Sequence, residues 1–272
     1  MSTLNVDQIL PQSGDVVAVN AIKMVGNNQN IRVTADAGSS LVAGQANVIM
    51  GLYNGNPSGN DNVIIGKGAG SQVTTATANV FVGSGAGNSN LIGGGNVLIG
   101  NQAGTTIDGY NNTFIGSYSG NAVPATNSIN NTCIGNGSGL SSPSASYEIT
   151  LGGNITTALR CAQTSITSLS DARDKKDVKE LGAGLDFVKG LKPVEFVWNE
   201  RDEEGRHNIK DFGFIAQDLK KSQEDAELAD TLKLVYESNP DKLEASYGKL
   251  IPILVKAIQD LSAKVEALEA KK

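Results

Sequence analysis

The sequence predicts a mainly β N-terminal part, a trimeric parallel β-repeat or β-helical shaft, followed by a small α+β domain ending in a coiled-coil helix. Three observations predict it. A motif of three apolar or β-branched residues and a glycine recurs between Asn47 and Gly152. Of the 50 charged residues, 10 fall in residues 1–169 and 40 in residues 170–272, whereas 26 of the 32 glycines fall in the first part. The C-terminal tail carries apolar residues at alternating steps of four and three.

Residues 1–46 contain the alternating runs VVAVNAIKM and NIRVTAD, which read as β-strands. Their place ahead of the repeat suggests a base that docks on another protein. The shaft, residues 47–156, holds NVIMGLYNG from Asn47, NVIIGKGAG from Asn62, NVFVGSGAG from Asn79 and NVLIGNQAG from Asn96. It continues with NTFIGSYSG from Asn112, NTCIGNGSG from Asn131 and a degraded EITLGGNIT from Glu148, at spacings of 15, 17, 17, 16, 19 and 17. Each copy reads as one short strand and a turn. The outer residues, such as Val63 and Ile65, point to one face and the middle one, Ile64, to the other, so both faces are apolar. Gly66, Gly83, Gly100, Gly116 and Gly135 permit a positive φ or close backbone approach just after the strand. The leading Asn is placed to bond locally or to ladder onto the next copy. The inserts GNPSGNDN, SQVTTATA, TTIDGYN and NAVPATNSIN read as loops on the outside of the rod, with Tyr110 and Tyr118 as the places a receptor would touch.

A unit with three apolar positions in about 17 residues buries little alone and must stack on its neighbours. The expected solution is a homotrimer in which three chains wind about one axis. The competing readings are a monomeric β-solenoid and a disordered glycine-rich linker, and a linker has no reason to repeat NVxIG.

Residues 157–169 form a linker. In residues 170–272, VEFVWNE alternates, RDEEGRHN is a charged turn around Gly205, and IKDFGFIAQDL is a returning strand that runs into a helix, so a β-hairpin with flanking helices is expected. Val178, Leu181, Leu185, Phe187, Val188 and Leu191 lie at roughly helical spacing. Tyr247, Ile251, Leu254, Ile258, Leu261, Val265 and Leu268 form an a/d seam on a helix over 251–270, with Pro252 in the first turn. The alternative is an amphipathic helix packed on its own domain.

Composition excludes several functions. Net charges of −2 for residues 1–169 and −4 for the rest oppose nucleic-acid binding. No run of 18 apolar residues and no signal-type leader is visible, so neither membrane insertion nor export is expected. The single His207 removes most triads and His-based metal sites, and no cofactor or metal is expected. Cys133 and Cys161 lack metal-site spacing and read as packed thiols.

The motifs SDARDKK at Ser170, LKPVEFVW at Leu191, DFGFIAQDL at Asp211 and YGKLIPILVKAIQDLSAKVEAL at Tyr247 resemble the C-terminal intramolecular chaperone, or auto-processing domain, of bacteriophage tail fibres and tailspikes, first associated with endosialidase spikes. The NVxIGxxAG copies are similar to phage fibre shafts and, more loosely, to trimeric bacterial adhesin heads. The resemblance implies a domain that trimerises, sets three shafts in register, and cleaves itself off before a serine. Here that bond is Leu169–Ser170, with Ser170 as nucleophile, Lys175 as base, and Asp171 and Arg173 in positioning roles. Asp174 and Asp177 flank Lys175 and favour its ammonium form. A competing structural role makes Ser170 a helix N-cap.

The implied protein is a structural virion component, a tail fibre assembled in the host cytoplasm. It would attach through its N-terminal part to tail or baseplate proteins and contact a host surface receptor, such as a glycan. Enzymatic activity is at most a single-turnover Ser–Lys auto-proteolysis. The alternatives are an uncleaved fibre that keeps the chaperone as its tip, a bacterial surface adhesin, and a glycan-degrading tailspike. The last needs carboxylates about 5 to 9.5 Å apart. Asp7, Asp15, Asp36, Asp61, Asp108 and Glu148 are widely spread in sequence.

Overall fold

The computed structural model describes residues 31–33, 44–52, 58–90, 92–120, 126–153, 155–163, 166–201 and 205–271. After β1 (Ile31–Val33), whose sequence is IRV, each apolar triplet of the repeat forms a three-residue strand: β2 (Val48–Met50), β3 (Val63–Ile65), β4 (Val80–Val82) and β5 (Val97–Ile99). After β6 (Asp108–Tyr110) come β7 (Thr113–Ile115), β8 (Thr126–Ile129), β9 (Thr132–Ile134) and β10 (Ile149–Leu151). Eight of these form one parallel sheet in the order β1-β2-β3-β4-β5-β7-β9-β10. Equivalent residues stay in register, as in Ile64 opposite Phe81 and Phe81 opposite Leu98. The pair β6 and β8 forms a second, short parallel ladder.

A chain that returns every 15 to 19 residues to lie parallel on its previous strand is a β-solenoid. Strand neighbours belong to the same chain, so the expected winding of three chains about one axis is not what closes the ladder. The expected thin core is nonetheless enclosed by one chain. The middle residues Ile49, Ile64, Phe81, Leu98, Phe114 and Cys133 stack into a continuous column, packed against Ala69, Val73, Ala76, Ala86, Ala103 and Ile107 of the return segments. Val73, Ala76 and Ile107 come from inserts expected to be external loops. That expectation is corrected, because these inserts supply the wall opposite the sheet. Of residues 1–46, the run VVAVNAIKM lies outside the described residues, and β1 joins the ladder as its first rung.

The heading asparagines are buried and form an amide ladder. The Nδ2 of Asn96 donates to Asn79 Oδ1 at 3.1 Å and to the Gly109 carbonyl at 2.8 Å. Its Oδ1 accepts from the backbone N–H of Asn112 at 3.0 Å and from Asn112 Nδ2 at 3.1 Å. The pattern repeats from Asn47 to Asn131. A buried amide with its donors and acceptors filled from the coils on either side locks the stacking register. The strand-end glycines act as expected. Gly66 has φ +129°, and a β-carbon there would lie 2.5 Å from the Gly83 carbonyl oxygen of the next coil.

Burial pushes the Cys133 thiol up to about 11. Cys161 is exposed, so only one of the two cysteines is the packed thiol expected of both.

The C-terminal module contains α1 (Leu185–Gly190), the antiparallel hairpin β11 (Val194–Asn199) and β12 (His207–Gly213), and α2 (Ala216–Asp225). It continues with α3 (Ala229–Leu232), the short pair β13 (Val235–Tyr236) and β14 (Glu244–Ala245), and α4 (Leu250–Glu269). The hairpin with flanking helices is as expected. The helical spacing from Val178 to Leu191 yields only α1, because the chain around Gly182 and Gly184 is not helical and α1 starts where Asp260 accepts the Leu185 N–H. Leu219, Leu234, Leu250 and Ile253 anchor a small core. The reading of α4 as an amphipathic helix packed on its own domain holds for one face, with Leu250, Ile253 and Ala257 buried in the module, while the seam residues Ile251, Leu254, Ile258, Leu261, Val265 and Leu268 are exposed in the single chain. Among the described residues no helix is long and apolar enough to cross a membrane.

Candidate processing site

The described residues from Ile155 to Leu169 are exposed and lie outside helix and strand. This exposed segment leaves the last coil and leads to Ser170. The chain then makes one turn of 3-10 helix, Ala172–Asp174. Asp171, not Ser170, is its N-cap: the carboxylate accepts the Arg173 N–H at 2.9 Å and also pairs with the Arg173 guanidinium at 2.6 Å. These two hydrogen bonds hold the Asp171 carboxyl below its ordinary range, and the same pair raises Arg173.

The turn sets the geometry of the site. The Lys175 N–H closes it on the Ala172 carbonyl at 3.2 Å, which brings the Lys175 side chain back over Ser170. Its Nζ lies 2.5 Å from Ser170 Oγ and 2.9 Å from the Ser170 carbonyl oxygen. All four residues expected to form the site thus sit in one turn, with Ser170 touching Lys175, and Asp171 and Arg173 engaged with each other. Neither Asp174 nor Asp177 forms an ion pair with Lys175 among the described residues. The site is open to water in the single chain. A groove of about 1140 Å³ in the module, lined in part by Phe196, Trp198, Phe212 and Tyr247, does not include it.

Chemically, an attack of Ser170 Oγ on the Leu169 carbonyl carbon would close a five-membered ring, and an amine in contact with Oγ, as Lys175 Nζ is, is what such an attack needs. Residues 170–228 match the family model described as the chaperone of endosialidase. The match begins at Ser170, and no curated protein and no solved structure matches the chain. With the β-solenoid that precedes it, the chaperone-of-endosialidase segment fits a protein of tail-fibre or tailspike type.

A second cluster ties the chaperone module to the shaft. Glu148 takes the ladder position that asparagine holds in the other copies, and its N–H still donates to Asn131 Oδ1 at 3.0 Å. Its carboxylate ends the ladder by accepting the Ser141 N–H at 3.0 Å and the hydroxyls of Ser141 and Tyr236. The hydrogen bond to Glu148 raises the Tyr236 pKa, since ionisation would set two anions together. Ser142 and Ser238 add a hydroxyl contact at 3.1 Å. Sequence reasoning missed this junction. The replacement of Asn by Glu in the seventh copy was its one signal, and Tyr236 carried none.

Proposed function

We propose that this chain is the protomer of a trimeric bacteriophage tail fibre, with an N-terminal part that attaches to tail or baseplate proteins and a solenoid shaft. Its C-terminal chaperone aligns three chains and then cleaves itself off before Ser170. The observation that carries this reading is the Ser170 Oγ to Lys175 Nζ contact, at the first residue of the chaperone match and directly after an exposed connector.

In the proposed step, Ser170 Oγ attacks the Leu169 carbonyl carbon and passes its proton to Lys175 Nζ. The proton moves on to the departing Ser170 nitrogen as the peptide bond breaks, leaving Leu169 esterified to Oγ. Water then hydrolyses the ester to a Leu169 carboxylate and a free Ser170 hydroxyl. Shielding of the exposed pair would come from sister chains. Host contact is assigned to exposed positions such as Tyr110 and Tyr118, against a surface receptor such as a glycan. A glycan-degrading role finds less support: Asp61, Asp108 and Glu148 stand on different coils, and the latter two accept hydrogen bonds from Ile92 and Ser141.

Intact-mass analysis and denaturing gels of the purified full chain test the cleavage. The wild type should yield fragments 1–169 and 170–272, Ser170→Ala should remain whole, and Lys175→Met should slow cleavage about a hundredfold or more. An unchanged single band for all three would overturn auto-processing. The second reading, a fibre that keeps its module as a tip, is favoured by the Glu148–Tyr236 junction, which holds the module on the last coil.

A further inference from the structure

In the shaft strands β2, β3, β4, β5, β7 and β9 the middle side chain fills the core, so the first and third point away from it, and β10 continues the same register. Across the seven rungs from β2 to β10 those outward positions hold Val, Ile, Met, Leu or Thr and no charged residue. The third positions Met50, Ile65, Val82, Ile99, Ile115 and Ile134 form a file on the outer face. Ile99, Ile115 and Ile134 are 36%, 38% and 42% exposed. A solvated sheet face ordinarily alternates with polar or charged residues, and an uncharged face asks for a cover.

Dimensions and periodicity indicate what covers it. Seven rungs at about 4.8 Å make a strip roughly 29 Å long and 7 to 10 Å wide. A complementary surface must repeat with the same spacing, and a second copy of this solenoid laid alongside in parallel does so. The strip offers only about 200 to 300 Å² per chain, well under the roughly 800 Å² per partner of a stable interface, so it cannot hold free chains together. It is sufficient if the chains are already tethered. The exposed seam of α4, with Ile251, Leu254 and Ile258 at 64%, 43% and 67%, is a second unpartnered apolar file on the same chain, and a parallel coiled coil there would supply the tether.

We infer that the outward face of the shaft ladder is the contact between sister chains. Three closed solenoids lie side by side with Met50, Ile65, Val82, Ile99, Ile115 and Ile134 toward a common axis. This rests on the trimeric reading proposed above and adds the surface to it. Contact along the strip depends on the tether, and each additional rung adds a small, equal increment.

The test uses the full chain with Cys161→Ser and one introduced cysteine at a time. Ile99→Cys and Ile115→Cys place thiols on the strip, and Thr75→Cys places one on the opposite wall, where Val73 and Ala76 face the core. Native mass should give three chains. Under mild oxidation the two strip variants should cross-link chain to chain about tenfold or more faster than Thr75→Cys. A trimer in which the strip cysteines cross-link no faster than Thr75→Cys overturns the contact while the trimeric reading stands. A single-chain mass overturns the trimer and the contact with it.

Discussion

The shaft and the terminal module reach order by opposite routes. In the shaft the strand ladder, the amides of the heading asparagines and the apolar column find their partners in the coils immediately before and after, within one chain and with 10 of the 50 charges in residues 1–169. In the module the elements run from two residues to the 20 of α4, the core is small, and one face of α4 and the Ser170 turn are exposed. The shaft thus holds the information for stacking but little for choosing partners, because each rung resembles the next. The function proposed above assigns the partner-selecting surface and the chemistry to the module.

The largest effect that would break this contrast lies in the amide ladder. Asn96→Leu keeps the volume but leaves the Asn112 N–H and the Gly109 carbonyl without their partner, and should cost about 3 to 5 kcal/mol. Denaturant unfolding followed by circular dichroism would show it as loss of the shaft transition alone. A cost below about 1 kcal/mol would mean that the ladder is incidental to stacking.

A smaller effect of opposite sign is expected at Asn90. It is buried with neither amide atom partnered among the described residues, at the position that Val73 and Ile107 occupy in the adjacent coils. Asn90→Val should stabilise the shaft by about 1 to 3 kcal/mol in the same assay, and a loss of stability would show that the amide has a role the coil needs.

The smallest effect belongs to the module. The Asp260 carboxylate takes hydrogen bonds from Lys256 and from the Leu185 N–H at the start of α1, which hold its pKa below the ordinary 3.8. A depressed folded pKa contributes stability that is present above 3.8 and lost as pH falls through the lower folded value. Acid titration of Asp260→Asn, monitored at the module's transition, should therefore show a shallower decline over that interval than the wild type. Parallel curves would remove Asp260 from the linkage.

The repeat made the shaft legible, since Asn, three strand residues and glycine at fixed spacing can meet their equivalents only by stacking. It did not reveal that one chain closes the core. The missing wall came from Val73, Ala76 and Ile107, single apolar residues in polar inserts with no periodicity to mark them. The a/d spacing of α4 was readable, but its buried Leu250, Ile253 and Ala257 face was not, because both faces of the helix carry apolar residues. At the candidate site the residue types and order were visible. That Asp171 caps the turn and folds Lys175 onto Ser170 depends on backbone geometry, which SDARDK alone does not specify.

The amide rail has one further consequence. The six coils headed by Asn47 to Asn131 meet one another through the same asparagine, so their number is not tied to either terminus. An in-frame duplication of one 17-residue copy would extend the rod by about 4.8 Å and leave both ends unaltered. Reach is then a quantity that recombination can adjust one step at a time.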